Sequence, residues 1–144
     1  MPNRQEIALM AHLMRRAGFG EPRWELDART AKGYEAVVEE LLHPEEQPAI
    51  SDELMYRILP GYEGALGPPI NQADWVFRMV NTKRPLEEKM ALFWHGIFAT
   101  GYPKVLNAKP LSDQIRMFKR YAMGDLKTLL IHFQHVPYQI EHKE

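Results

Sequence analysis

The chain has 144 residues, 45% hydrophobic and 26% charged, the proportions of an ordinary globular protein rather than of a disordered or fibrous one. Its 18 basic and 19 acidic side chains almost cancel, so the molecule as a whole lacks the positive field that drives binding to nucleic acid or anionic lipid. With no cysteine it offers no disulfide, thiolate nucleophile or cysteine-ligated metal site, and any metal has to sit on His, Asp or Glu.

The first apolar stretch, Ile7 to Met14, is interrupted by His12, runs into Arg15 and Arg16, and lacks a small-residue cleavage site. It reads as a structural helix and not as a signal peptide. No apolar run approaches the roughly 20 residues that span a bilayer, so the expected location is the cytoplasm with no membrane association. Ile7, Met10, Met14 and Ala17 recur at helical spacing, which predicts a helix from about Asn3 to Ala17. Gly18 follows where a left-handed cap would end it, with Phe19 folding back onto Met14 and the two arginines facing the negative end of the helix dipole.

Pro22 suits the first turn of a short helix carrying Trp24 and Leu26, and Val37, Val38, Leu41 and Leu42 define another from about Tyr34 to Leu42, ended by His43-Pro44. Ser51 is placed to cap a helix with Leu54, Met55, Ile58 and Leu59. The proline- and glycine-rich stretch Pro60 to Pro69 predicts a loop. Asn71 with Asp74 resembles a capping box, which would start a helix there and run it to about Thr82, with Trp75, Met79, Val76 and Val80 as its stripes.

Pro85 opens the next helix, with Glu87 and Glu88 in its first turn. Leu86, Met90, Phe93 and Ile97 form one stripe, widened by Leu92, Trp94 and Phe98, so this helix is expected to be central and buried nearly all round. Pro110 and Ser112 start another, with Leu111, Ile115, Phe118 and Ala122 along one face. Gly124 ends it, and Asp125 caps a last helix whose Leu126, Leu129, Leu130 and Phe133 are expected to point inward. No segment alternates with period two, so the fold class is all-α, an irregular bundle of roughly six to eight helices.

His95 shares a helix face with Glu88, Ala91 and Ala99, small neighbours that let a ligand or another helix approach. Such a histidine is either a metal ligand or acid/base, or a buried ring satisfied by a carbonyl and a carboxylate. His12, on the first helix with Arg15 and Arg16, would join it if the two helices pack together; the arginines equally serve the dipole or an ion pair. His132 and His135 stand i, i+3 in the last helix with His142 beyond, but no acidic residue sits at matched spacing. Trp75 and Trp94 read as core, and Glu39-Glu40 and Glu45-Glu46 as solvated charge. No nucleophile elbow, phosphate loop, dinucleotide fingerprint or His-Glu-x-x-His is present.

The string His12-Leu13-Met14-Arg15-Arg16-Ala17-Gly18-Phe19-Gly20, followed by Pro85-Leu86-Glu87-Glu88-Lys89-Met90-Ala91-Leu92-Phe93-Trp94-His95, resembles a bacterial family, the domain of unknown function numbered eighteen hundred. Phe98-Ala99-Thr100, Lys104-Val105, Gln114 and Tyr121-Ala122-Met123-Gly124-Asp125-Leu126 extend the likeness to about Leu130. Ile97 stands where family members commonly carry a second histidine after the tryptophan-histidine pair, which weakens any two-histidine site. The resemblance implies a helical fold, assigns no mechanism, and implies that family members continue well past this point into an acidic motif. Residues 1–130 are accordingly expected to form a family-like helical domain, and 131–144 a divergent tail.

Two functions follow as expectations. One is a truncated or incomplete non-catalytic module that associates with itself or another protein through its C-terminal helix. The other is an enzyme half-site, metal-dependent or acid/base, built on His95 with His12, Arg15 or Glu88 and completed by a partner. The residues specify no cofactor for either.

Overall fold

The computed structural model describes residues 3–58, 68–98 and 109–135. Among them lie eight α-helices and no strand: α1 (Arg4–Ala17), α2 (Arg23–Lys32), α3 (Tyr34–Leu42), α4 (Asp52–Ile58), α5 (Pro68–Asn81), α6 (Pro85–Ile97), α7 (Lys109–Tyr121) and α8 (Leu126–Phe133). A 3-10 turn, Pro44–Glu46, follows α3.

Local chemistry accounts for most boundaries. Asn3 accepts from the backbone of Gln5 and Glu6, both at 2.9 Å, while Glu6 returns a bond to the Asn3 N–H. This reciprocal cap satisfies amides that the first turn leaves without helical partners. Ser51 Oγ accepts from the Leu54 N–H at 3.3 Å, and Asp125 Oδ1 from the Thr128 N–H at 2.9 Å. The helix expected to open at Asn71 starts earlier, at Pro68, so Asn71 is an interior residue. Two prolines fit a first turn, where their missing N–H groups have no acceptor to lose. Asp74 bonds sideways to Arg78 instead of capping. The rest of the expected Pro60–Pro69 loop lies outside the described residues.

The end of α1 differs from the left-handed glycine expected at Gly18. Gly18 has φ −154°, and the positive φ, 86°, belongs to Gly20. The Gly20 N–H closes the turn onto the Met14 carbonyl at 3.2 Å. Gly18 is needed for space: a Cβ there would lie 3.0 Å from Pro85 Cβ and 3.1 Å from the Met14 oxygen. The missing side chain lets the first turn of α6 seat against the end of α1. Phe19 is exposed, with the Lys89 ammonium 5.1 Å over its ring.

The core divides into two clusters. Met10, Met14, Ala17, Leu26, Val37 and Leu41 join α1, α2 and α3, with Leu86 packed against them. Ala91, Phe118 and Leu129 join α6, α7 and α8, with Trp94, Phe98 and Phe133 around them. The rings of Phe98 and Phe133 lie 4.9 Å apart and those of Trp94 and Phe98 5.8 Å, distances at which aromatic pairs attract beyond their area. Full burial of a ring such as Phe118 is worth about 1.5–3 kcal/mol.

α6 runs from one cluster to the other, Leu86 serving the first and Ala91 the second. It is therefore a spine and not the all-round buried helix that its apolar content suggests. Leu92, Phe93 and Ile97 are exposed, because α1, α3, α5 and α7 leave part of its circumference uncovered. α8 likewise buries Leu129 while leaving Leu126 and Leu130 exposed, a correction to the inward placement of all four residues.

A buried cation fastens α2 to α3. Arg29 Nε lies 2.7 Å from Glu21, and its Nη1 3.0 Å from Glu40, whose other oxygen takes Lys32 at 2.7 Å. Glu40 is thus a structural acceptor and not solvated charge. Its carboxyl is held below the usual range by Lys32 and Arg29, which outweigh the opposing effect of its burial.

Candidate functional site

α6 places Glu88 and His95 seven residues apart, two turns along one face. α5 packs across this face and inserts Trp75, whose indole N–H donates to Glu88 Oε2 at 3.2 Å. The same indole packs edge-to-face with the His95 ring, with centroids 5.1 Å apart and planes at 89°. From α7, Lys119 brings its ammonium to 2.5 Å from Glu88 Oε1. A carboxylate with 2% of its side chain exposed thereby has a charged partner and a neutral donor, the condition under which a buried charge is tolerated.

His95 is partly buried, and its Nδ1 is shut off from solvent with no hydrogen-bond partner. Burial alone pushes its pKa below the usual 6.5, because the charged ring would lose hydration without gaining a carboxylate. Glu88, the expected compensating group, is committed to Trp75 and Lys119. His12 and Arg15 are exposed on α1, and no hydrogen bond, ion pair or ring contact among the described residues joins either to His95. Glu88 and His95 thus come together about Trp75, and the other two candidates stand apart.

Beyond Trp75, a cleft of about 190 Å³ separates α4 and α5 from α7. Asp52, Asp74 and Arg78 stand on one side, and Arg116 and Lys119 on the other. Arg78 donates to Asp74 at 2.7 Å, to the Ile50 carbonyl at 2.9 Å and to Asp52 at 2.6 Å, tying α4 to α5. Trp75 therefore belongs to a cleft wall, whereas Trp94 is a core residue whose N–H donates to the Ala122 carbonyl at 3.1 Å.

Lys119 is the participant that periodicity hides. It follows Phe118 and lies four residues after Ile115, at the edge of an apolar stripe where a lysine ordinarily reads as surface. His132 stacks on Tyr121 with centroids 3.8 Å apart, and His135 Nδ1 bonds the Ile131 carbonyl at 2.6 Å. His142 lies outside the described residues. Among the described residues no three His, Asp or Glu side chains gather as metal ligands, and no helix is long and apolar enough to cross a membrane.

These helices define an all-α protein with a buried, indole-capped ion pair beside a polar cleft. The family described as "Protein of unknown function (DUF1800)" matches residues 12–138, starting at the histidine that opens the arginine-glycine motif, and the chain belongs to that family. No curated protein and no solved structure matches it.

Proposed function

We propose that the chain is a non-catalytic helical module, incomplete as a single copy, that works by association through α8 with a second copy of itself. The supporting observation is the outer face of α8, where Leu126, Leu130 and Ile131 are 52%, 42% and 43% exposed while Leu129 anchors the helix in the core. Among the described residues, these three side chains line one shallow groove in which Lys127 is the one charged residue. Grouped apolar surface of this kind favours contact with another protein. A second copy suits it because a net charge of −1 offers almost no repulsion between identical molecules, and a two-fold axis would lay the face against itself.

Sedimentation velocity over a micromolar concentration series tests this reading. Reversible dimerisation that Leu130→Glu abolishes without changing the helical circular-dichroism spectrum is the expected result. A monomer throughout the series, or a dimer indifferent to Leu130→Glu, rejects it.

A second reading rests on the His95 ring, held neutral by burial with Nδ1 unsatisfied. In that version His95 supplies a base or metal-ligating nitrogen to a site completed by a partner, with Glu88 alongside. Metal analysis of the purified protein and of His95→Ala separates the metal-dependent form from the module, since stoichiometric metal lost on substitution supports the half-site.

A further inference from the structure

α1 turns Ile7, Met10, Met14 and Ala17 to the core, which leaves its opposite side to water. Arg4, Ala8, His12, Arg15 and Arg16 recur on that side at helical spacing, and all five are exposed, as is Leu9 beside them. From Arg4 to Arg16 the stripe runs about 18 Å, at the helical rise of about 1.5 Å per residue. Its charge is uncommitted. Among the described residues, none of Arg4, His12, Arg15 and Arg16 makes a side-chain hydrogen bond or ion pair, so the ion-pair role open to the two arginines is not taken up there. Glu6, the one acidic residue of α1, is engaged at the N-cap, where it accepts from the Asn3 N–H at 2.8 Å. At the other end, Lys89 of α6 holds its ammonium 5.1 Å over the exposed Phe19 ring and extends the positive edge beyond α1.

Three guanidinium groups and a histidine along one edge attract anionic groups, and arginine holds a carboxylate through two parallel hydrogen bonds. A nucleic-acid backbone fits this edge poorly. The net charge of −1 supplies no long-range attraction to a polyanion, and Ala8 and Leu9 interrupt the cations at the middle of the stripe. Those two residues suit another helix instead, because alanine permits close approach and Leu9, 51% exposed, gains by burial. We propose that the outer face of α1 is a docking surface for an acidic amphipathic helix of another protein. That helix lies along the stripe with carboxylates toward Arg4 at one end, carboxylates toward His12, Arg15 and Arg16 at the other, and an apolar side chain on Leu9. This face is separate from that of α8, so it stands or falls independently of self-association there.

The test is fluorescence anisotropy, with the full chain titrated into a labelled alanine-based helical peptide whose glutamates flank a central leucine on one face. A second peptide of the same composition has its glutamates spread round the helix. Saturable binding of the first is expected, weakening as salt rises, with the second bound about fivefold or more weakly. Arg15→Gln combined with Arg16→Gln, at exposed positions, should keep the helical spectrum and weaken binding by about fivefold or more. The charge-matched control, Arg57→Gln combined with Lys127→Gln, should leave it unchanged, since both parent side chains are exposed on other helices. No binding of either peptide, equal binding of both, or equal loss in the two double variants would overturn the proposal. So would tighter binding of single-stranded DNA or anionic phospholipid vesicles that the Arg15 and Arg16 substitutions weaken. Self-association of the chain abolished by those same substitutions would also overturn it, by assigning the face to a second copy.

Discussion

The Lys119 ammonium on α7 lies 2.5 Å from the Glu88 carboxylate on α6, and this pair joins the spine of the molecule to the helix that walls its cleft. Glu88 is almost wholly removed from water, so the two members are not equivalent under substitution. Lys119→Met leaves a buried anion with only the Trp75 N–H for compensation and should cost about 3–5 kcal/mol. Adding Glu88→Gln removes that anion and should recover most of the loss. Urea denaturation of the single and double variants checks this, and additive losses would show that the pair is not coupled.

Arg29 performs a similar task between α2 and α3 with a geometry that lysine does not reproduce. Its Nε and Nη1 address different carboxylates, Glu21 and Glu40, from a side chain 9% exposed. A single ammonium on a flexible stem cannot hold both in that fork. Arg29→Lys is therefore expected to destabilise by about 2 kcal/mol or more, since buried carboxylate oxygens lose charged donors. A denaturation midpoint unchanged in Arg29→Lys would mean that net charge, and not the fork, holds these helices.

The glycines after α1 should respond to substitution for different reasons. Gly18→Ala places a methyl 3.0 Å from Pro85 Cβ, an overpacking cost of about 1–3 kcal/mol. Gly20, at φ 86°, should tolerate Asn better than Ala, because asparagine enters the left-handed region more readily. Equal thermal midpoints for Gly20→Asn and Gly20→Ala would refute the conformational explanation there.

Two histidines should give opposite pH dependence. Burial depresses the pKa of His95 below 6.5, so its contribution to stability is complete above pH 6.5 and is lost as pH falls through the folded value. The Glu45 carboxylate, hydrogen-bonded to the ring at 3.1 Å, raises the pKa of His43 above 6.5. That contribution is complete below pH 6.5 and is lost as pH rises through the folded value. NMR titration of the two rings should bracket 6.5, and His95→Leu should reduce the loss of stability on acidification. Rings titrating in the reverse order would contradict both placements.

Sequence alone determined the helical class and most helix ends, because the signals involved are local. Ser51 and Asp125 cap within three residues of themselves, and Pro85 opens α6 through its own missing donor. The Tyr34–Leu42 helix coincides with its expected bounds for the same reason. The arginine-glycine and tryptophan-histidine strings sufficed for the family, since a family match depends on residue order rather than contact. Which side of each helix is covered depends instead on how the helices cross. Phe93, Ile97, Leu126 and Leu130 look like core in a linear pattern and are exposed because the neighbouring helices reach only part of α6 and α8. Partner choice is equally non-local: Glu88 meets Trp75 and Lys119 across 13 and 31 residues of chain, leaving His95 an edge-to-face contact with the indole and no carboxylate. Even the need for glycine at position 18 comes from Pro85, a residue brought against it only when α6 seats on the end of α1.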